Sequence, residues 1–171
     1  GPRCIKMVHV IRDGRDAAFV ENPNQAALLG PALLYGRRDK VLPREEKKKL
    51  TVEEKVTFWS LSNGDFARWA RRDLDPTSYF LLRIEDLVGV NGKTKKATEA
   101  KKLYEFVFQA APSNDVSSKI ASALELFEPG HYGGYHWKDQ SQQEICELEK
   151  LIKDTQTLFG YESPACGQSK Q

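Results

Sequence analysis

Arg12, Asp13, Gly14, Arg15 and Asp16 follow directly on the apolar run Met7-Val8-His9-Val10-Ile11. Two guanidinium groups at a break between strand and helix suit one task above others, the holding of an oxyanion. A guanidinium presents a planar fork of donors that matches phosphate. A helix N-terminus beside it adds unsatisfied N–H groups and partial positive charge. Asp13 is placed to cap that helix, which begins at Gly14 and continues through Ala17, Ala18 and Phe19. The chemistry these residues suggest is the binding of a phosphate on a nucleotide. The same charges also admit a plainer arrangement, in which Arg12, Asp13, Arg15 and Asp16 pair with one another on a solvated helix end.

Two other stretches carry residue types that do chemistry. Gly92-Lys93-Thr94 lies between a strand and a helix, the order of a phosphate-binding P-loop. That motif needs a glycine five residues earlier, where this chain has Leu87, so the stretch reads as a turn before a helix; use by a nucleotide kinase or NTPase is the rival. The run Pro129-Gly130-His131-Tyr132-Gly133-Gly134-Tyr135-His136-Trp137-Lys138 mixes rings with glycines, so it suits a loop folded over a planar ligand, or a packed surface loop. His131, His136 and Cys146 have poor spacing for a metal, and no metal site is expected.

The elements that must position these residues follow from periodicity. Ile5 to Ile11 is short, apolar and β-branched, which predicts a strand covered on both faces, as in a parallel sheet. The C-terminal ends of such strands are where open α/β sheets bind ligands. Thr51 and Glu54 form a capping box, and Val52, Val56, Trp59, Asn63, Phe66 and Ala70 mark the buried stripe of a long helix ending near Asp73. Trp59 and Trp69 are both expected in the core. Asp75-Pro76 is a turn, and Tyr79 to Ile84 a second buried strand. Ala97, Ala100, Tyr104, Val107 and Ala111 mark a helix stopped by Pro112, and Val116, Ile120, Leu124 and Phe127 another, capped by Ser113 or Asn114. Ser141 to Glu144 is a second capping box, opening a helix with Ile145, Leu148, Ile152, Thr155 and Phe159 on its buried face and a glycine cap at Gly160. Ser163 to Gln171 is polar and expected to be disordered.

Two strand-bearing segments and the last helix resemble sulfotransferases. Val8-His9-Val10-Ile11-Arg12-Asp13-Gly14-Arg15-Asp16-Ala17-Ala18 is similar to the strand and helix start that bind the 3′-phosphate of 3′-phosphoadenosine 5′-phosphosulfate (PAPS) in that family. Tyr79-Phe80-Leu81-Leu82-Arg83-Ile84-Glu85-Asp86-Leu87-Val88 is similar to its LRYEDLV strand. A third match is His131-Tyr132-Gly133 with Trp137, before a final helix closing on Leu158-Phe159-Gly160-Tyr161. The resemblance implies an α/β fold, a partial P-loop NTPase-like three-layer sandwich with a short parallel sheet and about five or six helices. It implies one sulfotransferase-like domain over residues 1–162. It implies a donor site in which Arg12 contacts the 3′-phosphate, Gly14 and Arg15 fit the helix start, and His131, Tyr132 and Gly133 stand where the family closes a basic run over that phosphate. PAPS would be the co-substrate, and the acceptor a hydroxyl or amine on a glycan, a small alcohol or a protein side chain.

This chain departs from the family at several positions. Val20 stands where the family has a phosphate-contacting serine, and Ile84 where LRYED has its aromatic. Five residues precede the strand that starts at Lys6, so the family's lysine-bearing loop is expected to be missing and the catalytic base is not identified. These departures admit a sulfotransferase-like scaffold without catalysis.

The 171 residues carry a formal charge of +2, which gives no global drive toward nucleic acid or a membrane surface. No apolar run has the length of a membrane span, and no targeting segment is read, so cytoplasm and Golgi lumen both fit. Cys4, Cys146 and Cys166 are odd in number and far apart, the pattern of neither a disulfide framework nor a zinc site.

Overall fold

A computed structural model describes residues 5–19, 51–126 and 136–162. Their elements are, in order, β1 (Met7–Ile11), α1 (Gly14–Phe19), α2 (Val52–Asp73), β2 (Tyr79–Arg83), α3 (Ile84–Val88), α4 (Lys93–Phe108), α5 (Asn114–Glu125) and α6 (Gln142–Leu158). Short 3-10 turns lie at Pro76–Ser78 and His136–Asp139. The fold is mixed α/β, with a two-stranded parallel sheet among the described residues. The predictions at Val20, at His131, Tyr132 and Gly133, at Phe127 and in the tail lie outside the described residues.

The chain divides into two compact units, and the division falls between Arg12 and Asp13 and within α2 between Phe66 and Ala67. The first unit holds β1, the end of α2, β2, α3, α4 and α5. In it β1 and β2 run parallel, with Met7 opposite Tyr79 and Ile11 opposite Arg83. The register places Ile11 and Leu82 on opposite faces of the sheet, and both are buried, 3 % and 2 % exposed. β2 feeds directly into α3, and α4 packs back on the sheet through Phe106 against Phe80, with ring centroids 5.2 Å apart. α5 lies against α4 and buries Leu124.

The expectation of a first strand covered on both faces is corrected here. Val10 is 53 % exposed and Ile5 71 %, and the strand begins at Met7. Cover is therefore uneven along β1: Ile11, on the face opposite Val10, is 3 % exposed. β2 likewise ends at Arg83 rather than Ile84, and Ile84-Glu85-Asp86-Leu87-Val88 turns into a helix closed by Gly89 at φ +86°. Trp69, expected in the core, is 39 % exposed.

The second unit holds α1, the first part of α2, the turn at His136–Asp139 and α6. Its buried apolar residues include Ala18 of α1 and, on the stripes read from the sequence, Val56, Trp59, Ile145, Leu148, Ile152 and Phe159. Trp59 meets the Phe159 ring edge-on at 5.9 Å, and the Ser60 and Thr155 hydroxyls share a 2.7 Å hydrogen bond. Gly14 lies within this packing: a Cβ there would stand 2.7 Å from the Trp59 ring and 2.9 Å from Ile152. Burying a side chain such as Ile152 stabilises by about 1.5–3 kcal/mol, so close approach of α1 is favoured and only glycine permits it.

Both capping boxes form. The Thr51 hydroxyl accepts from the Glu54 N–H while Glu54 accepts from the Thr51 N–H at 2.8 Å, and Ser141 and Glu144 do the same. At the far end of α6 the Gly160 N–H reaches the Thr157 carbonyl and the Tyr161 N–H the Gln156 carbonyl. That is a Schellman closure, with Gly160 at φ +71°.

Candidate functional site

The first motif splits between the two units at its centre. Arg12 belongs to the first unit, one residue past the end of β1, and is partly exposed. The register puts Ile11 opposite Arg83, so the C-terminal ends of both motif-bearing strands lie side by side and each carries an arginine. That is the end of a parallel sheet at which ligands bind.

Arg83 is held by Asp86, which accepts from Nε at 2.8 Å and pairs with Nη2 at 2.7 Å. The other Asp86 oxygen accepts from the Asn91 amide and pairs with Lys95 at 3.0 Å. Burial opposes ionisation of Asp86, but the bonds from Asn91, Lys95 and Arg83 outweigh it and hold the carboxyl below the usual range. The carboxylate therefore ties the end of β2 to the turn and helix after it. On the strands themselves, His9 Nδ1 shares a 2.8 Å hydrogen bond with the Tyr79 hydroxyl, and burial pushes the Tyr79 phenol up.

Gly92-Lys93-Thr94 has a different setting from a P-loop. A helix, α3, intervenes between β2 and this stretch, and Gly92 at φ +99° simply opens α4. No backbone loop of P-loop length connects a strand to this lysine, so the kinase or NTPase reading loses its structural basis.

In the second unit, Asp13 caps α1 as expected, its Oδ1 accepting from the Arg15 N–H at 2.9 Å. The pairing of these charges takes place in the interior rather than on a solvated end: Asp13, Arg15 and Asp16 are 1 %, 4 % and 0 % exposed. Arg15 donates from Nε and Nη2 to Asp13, the latter at 2.7 Å, and from Nη1 to Glu149 at 2.7 Å. Gln156 Nε2 donates to Asp13 at 3.1 Å, and the Trp137 ring covers the guanidinium at 4.0 Å. Burial opposes the Arg15 charge, yet Asp13 and Glu149 outweigh it and raise its pKa above the ordinary value. The Arg15 guanidinium is thus shared between two carboxylates and an indole, and Gly14 is enclosed by Trp59 and Ile152.

Glu149 and Gln156 were not singled out from the sequence, although their spacing carries a signal. Ile145, Glu149, Ile152, Gln156 and Phe159 recur at intervals of four and three, one line of the buried face of α6. Among the described residues no cluster of three or more His, Cys, Asp or Glu side chains is arranged to hold a metal ion, and no helix is long and apolar enough to cross a membrane. Comparison with protein-family models, with curated proteins and with solved structures finds no match.

Proposed function

We propose that this chain is part of a sulfotransferase-family protein and that Arg12 contacts the 3′-phosphate of PAPS. The observation that supports this most is the in-register parallel pairing of β1 with β2. The two segments that resemble the family's donor-site strands are neighbours, with their C-terminal ends together, as a nucleotide site at a parallel sheet requires. Gly14 and Arg15, expected beside Arg12, are engaged in the interior of the second unit. The phosphate contact is therefore assigned to Arg12, whose fork of N–H donors matches a phosphate dianion.

In the reaction proposed, the sulfur–oxygen bond of the donor breaks and an acceptor oxygen or nitrogen bonds to sulfur. The acceptor loses a proton and adenosine 3′,5′-bisphosphate leaves. Acceptors of this class are hydroxyls or amines on glycans, small alcohols or protein side chains. As in phosphoryl transfer, the protein's part is to position the groups and stabilise charge on the equatorial oxygens.

Calorimetric titration with adenosine 3′,5′-bisphosphate tests this, with adenosine 5′-monophosphate as the ligand lacking the 3′-phosphate. The folded chain is expected to bind the bisphosphate and to discriminate against the monophosphate. Arg12→Ala should weaken bisphosphate binding at least tenfold, or about 1.4 kcal/mol, while its circular dichroism stays unchanged. Equal binding of both ligands, or equal binding by the variant, overturns the assignment.

A further inference from the structure

Asn-Gly dipeptides occur twice in this chain, at Asn63-Gly64 and at Asn91-Gly92. Each is a candidate for spontaneous deamidation. The glycine nitrogen attacks the asparagine Cγ, a C–N bond forms and ammonia leaves, giving a cyclic succinimide. Water then opens the ring at either carbonyl, yielding aspartate or isoaspartate. The only co-reactant is water, and glycine favours the attack because no Cβ obstructs it.

The structure gives the two pairs opposite fates. Asn63-Gly64 sits in the middle of α2, with Gly64 buried and the Asn63 amide bonded to the Trp59 carbonyl at 2.9 Å. Inside a helix the glycine N–H is engaged in the ladder and the backbone is fixed away from ring closure. Asn91-Gly92 lies in the turn between α3 and α4, and both residues are exposed. Gly92 stands at φ +99° with nothing within 4 Å of where a Cβ would be. Hydrogen bonds restrain it, among them those from the Gly92 N–H to the Gly89 carbonyl at 3.0 Å, from the Lys96 N–H to the Gly92 carbonyl at 3.1 Å and from the Asn91 amide to Asp86. The turn must open for attack, but no core packing at Gly92 opposes the opening.

We infer that Asn91 is a modification site, deamidated when this turn opens, and that its product unlocks the turn. The amide at residue 91 donates to a carboxylate that is 4 % exposed. Its conversion to a carboxylate removes that donor and sets a second negative charge against Asp86. Asp86 is the group that holds Arg83 and Lys95, so the change acts on the join between β2 and α4. This inference is independent of the donor assignment.

The test is to incubate the whole chain at mildly alkaline pH, with and without urea, and to follow aspartate and isoaspartate by peptide mapping. Asn91→Asp and Asn91→Gln are melted alongside; glutamine keeps the amide and closes no five-membered ring. Without urea, conversion is expected at Asn91 and not at Asn63; in urea, at both. Asn91→Asp should melt below Asn91→Gln. The inference is overturned if Asn63 converts as fast as Asn91 in the folded chain. It is equally overturned if Asn91 converts only in urea, or if Asn91→Asp melts no lower than Asn91→Gln.

Discussion

Arg12 and Arg15 are three positions apart and have unlike surroundings. Arg12 lies one residue past a strand and is partly exposed, whereas Arg15 is 4 % exposed between Asp13 and Glu149. A buried ion pair is poor evidence of net stability, because desolvation offsets the attraction, but removing one partner leaves the other charge uncompensated. Arg15→Ala leaves two carboxylates in the interior with their shared cation gone. It should destabilise the chain by about 3–5 kcal/mol, read from urea unfolding. Arg15→Lys should fall between wild type and Arg15→Ala. An ammonium is a point charge and cannot fork to Asp13 while reaching Glu149 beneath the Trp137 ring.

Helix ends show how local rules and long-range packing divide the work. Both capping boxes were legible because each involves residues three apart, and such bonds form wherever the helix starts. The Gly160 closure was legible for the same reason. The C-terminus of α4 was not. Pro112 marks the last place that helix can stop, but it stops at Phe108, where Gln109 takes φ +54° and gives its N–H to the Glu105 carbonyl. A side chain at left-handed φ costs about 1 kcal/mol that glycine avoids. Gln109→Gly is therefore expected to raise the melting temperature, by an amount corresponding to about 0.5–1 kcal/mol. An unchanged or lower melting temperature would show that the Gln109 side chain supplies more than the strain removes.

For the molecule as a whole, the response to acid follows from carboxylates held in their charged form. Asp86 has a folded pKa below its unfolded value of about 3.9. The stability it contributes is therefore fully present above about pH 4 and is lost as pH falls through the folded value. Asp75 and Glu144 shift in the same direction through their turn and cap bonds. Asp86→Asn should be less stable than wild type near neutrality, and the difference in urea midpoint should shrink toward about pH 3; a constant difference would mean the charge on Asp86 is not what matters. Helix stripes and the two capping boxes were determined by the sequence itself, since each is a relation between residues within a few positions of one another. The strand of Ile5 to Ile11 was legible as a strand but not in its exposure, because covering the Val10 face depends on elements distant in the chain. Only the tertiary structure decided which arginine is interior and that Glu149, 134 positions away, meets Arg15. A guanidinium has the same local sequence signal whether water, a phosphate or a buried carboxylate faces it, and the partner is chosen by packing that brings remote segments together.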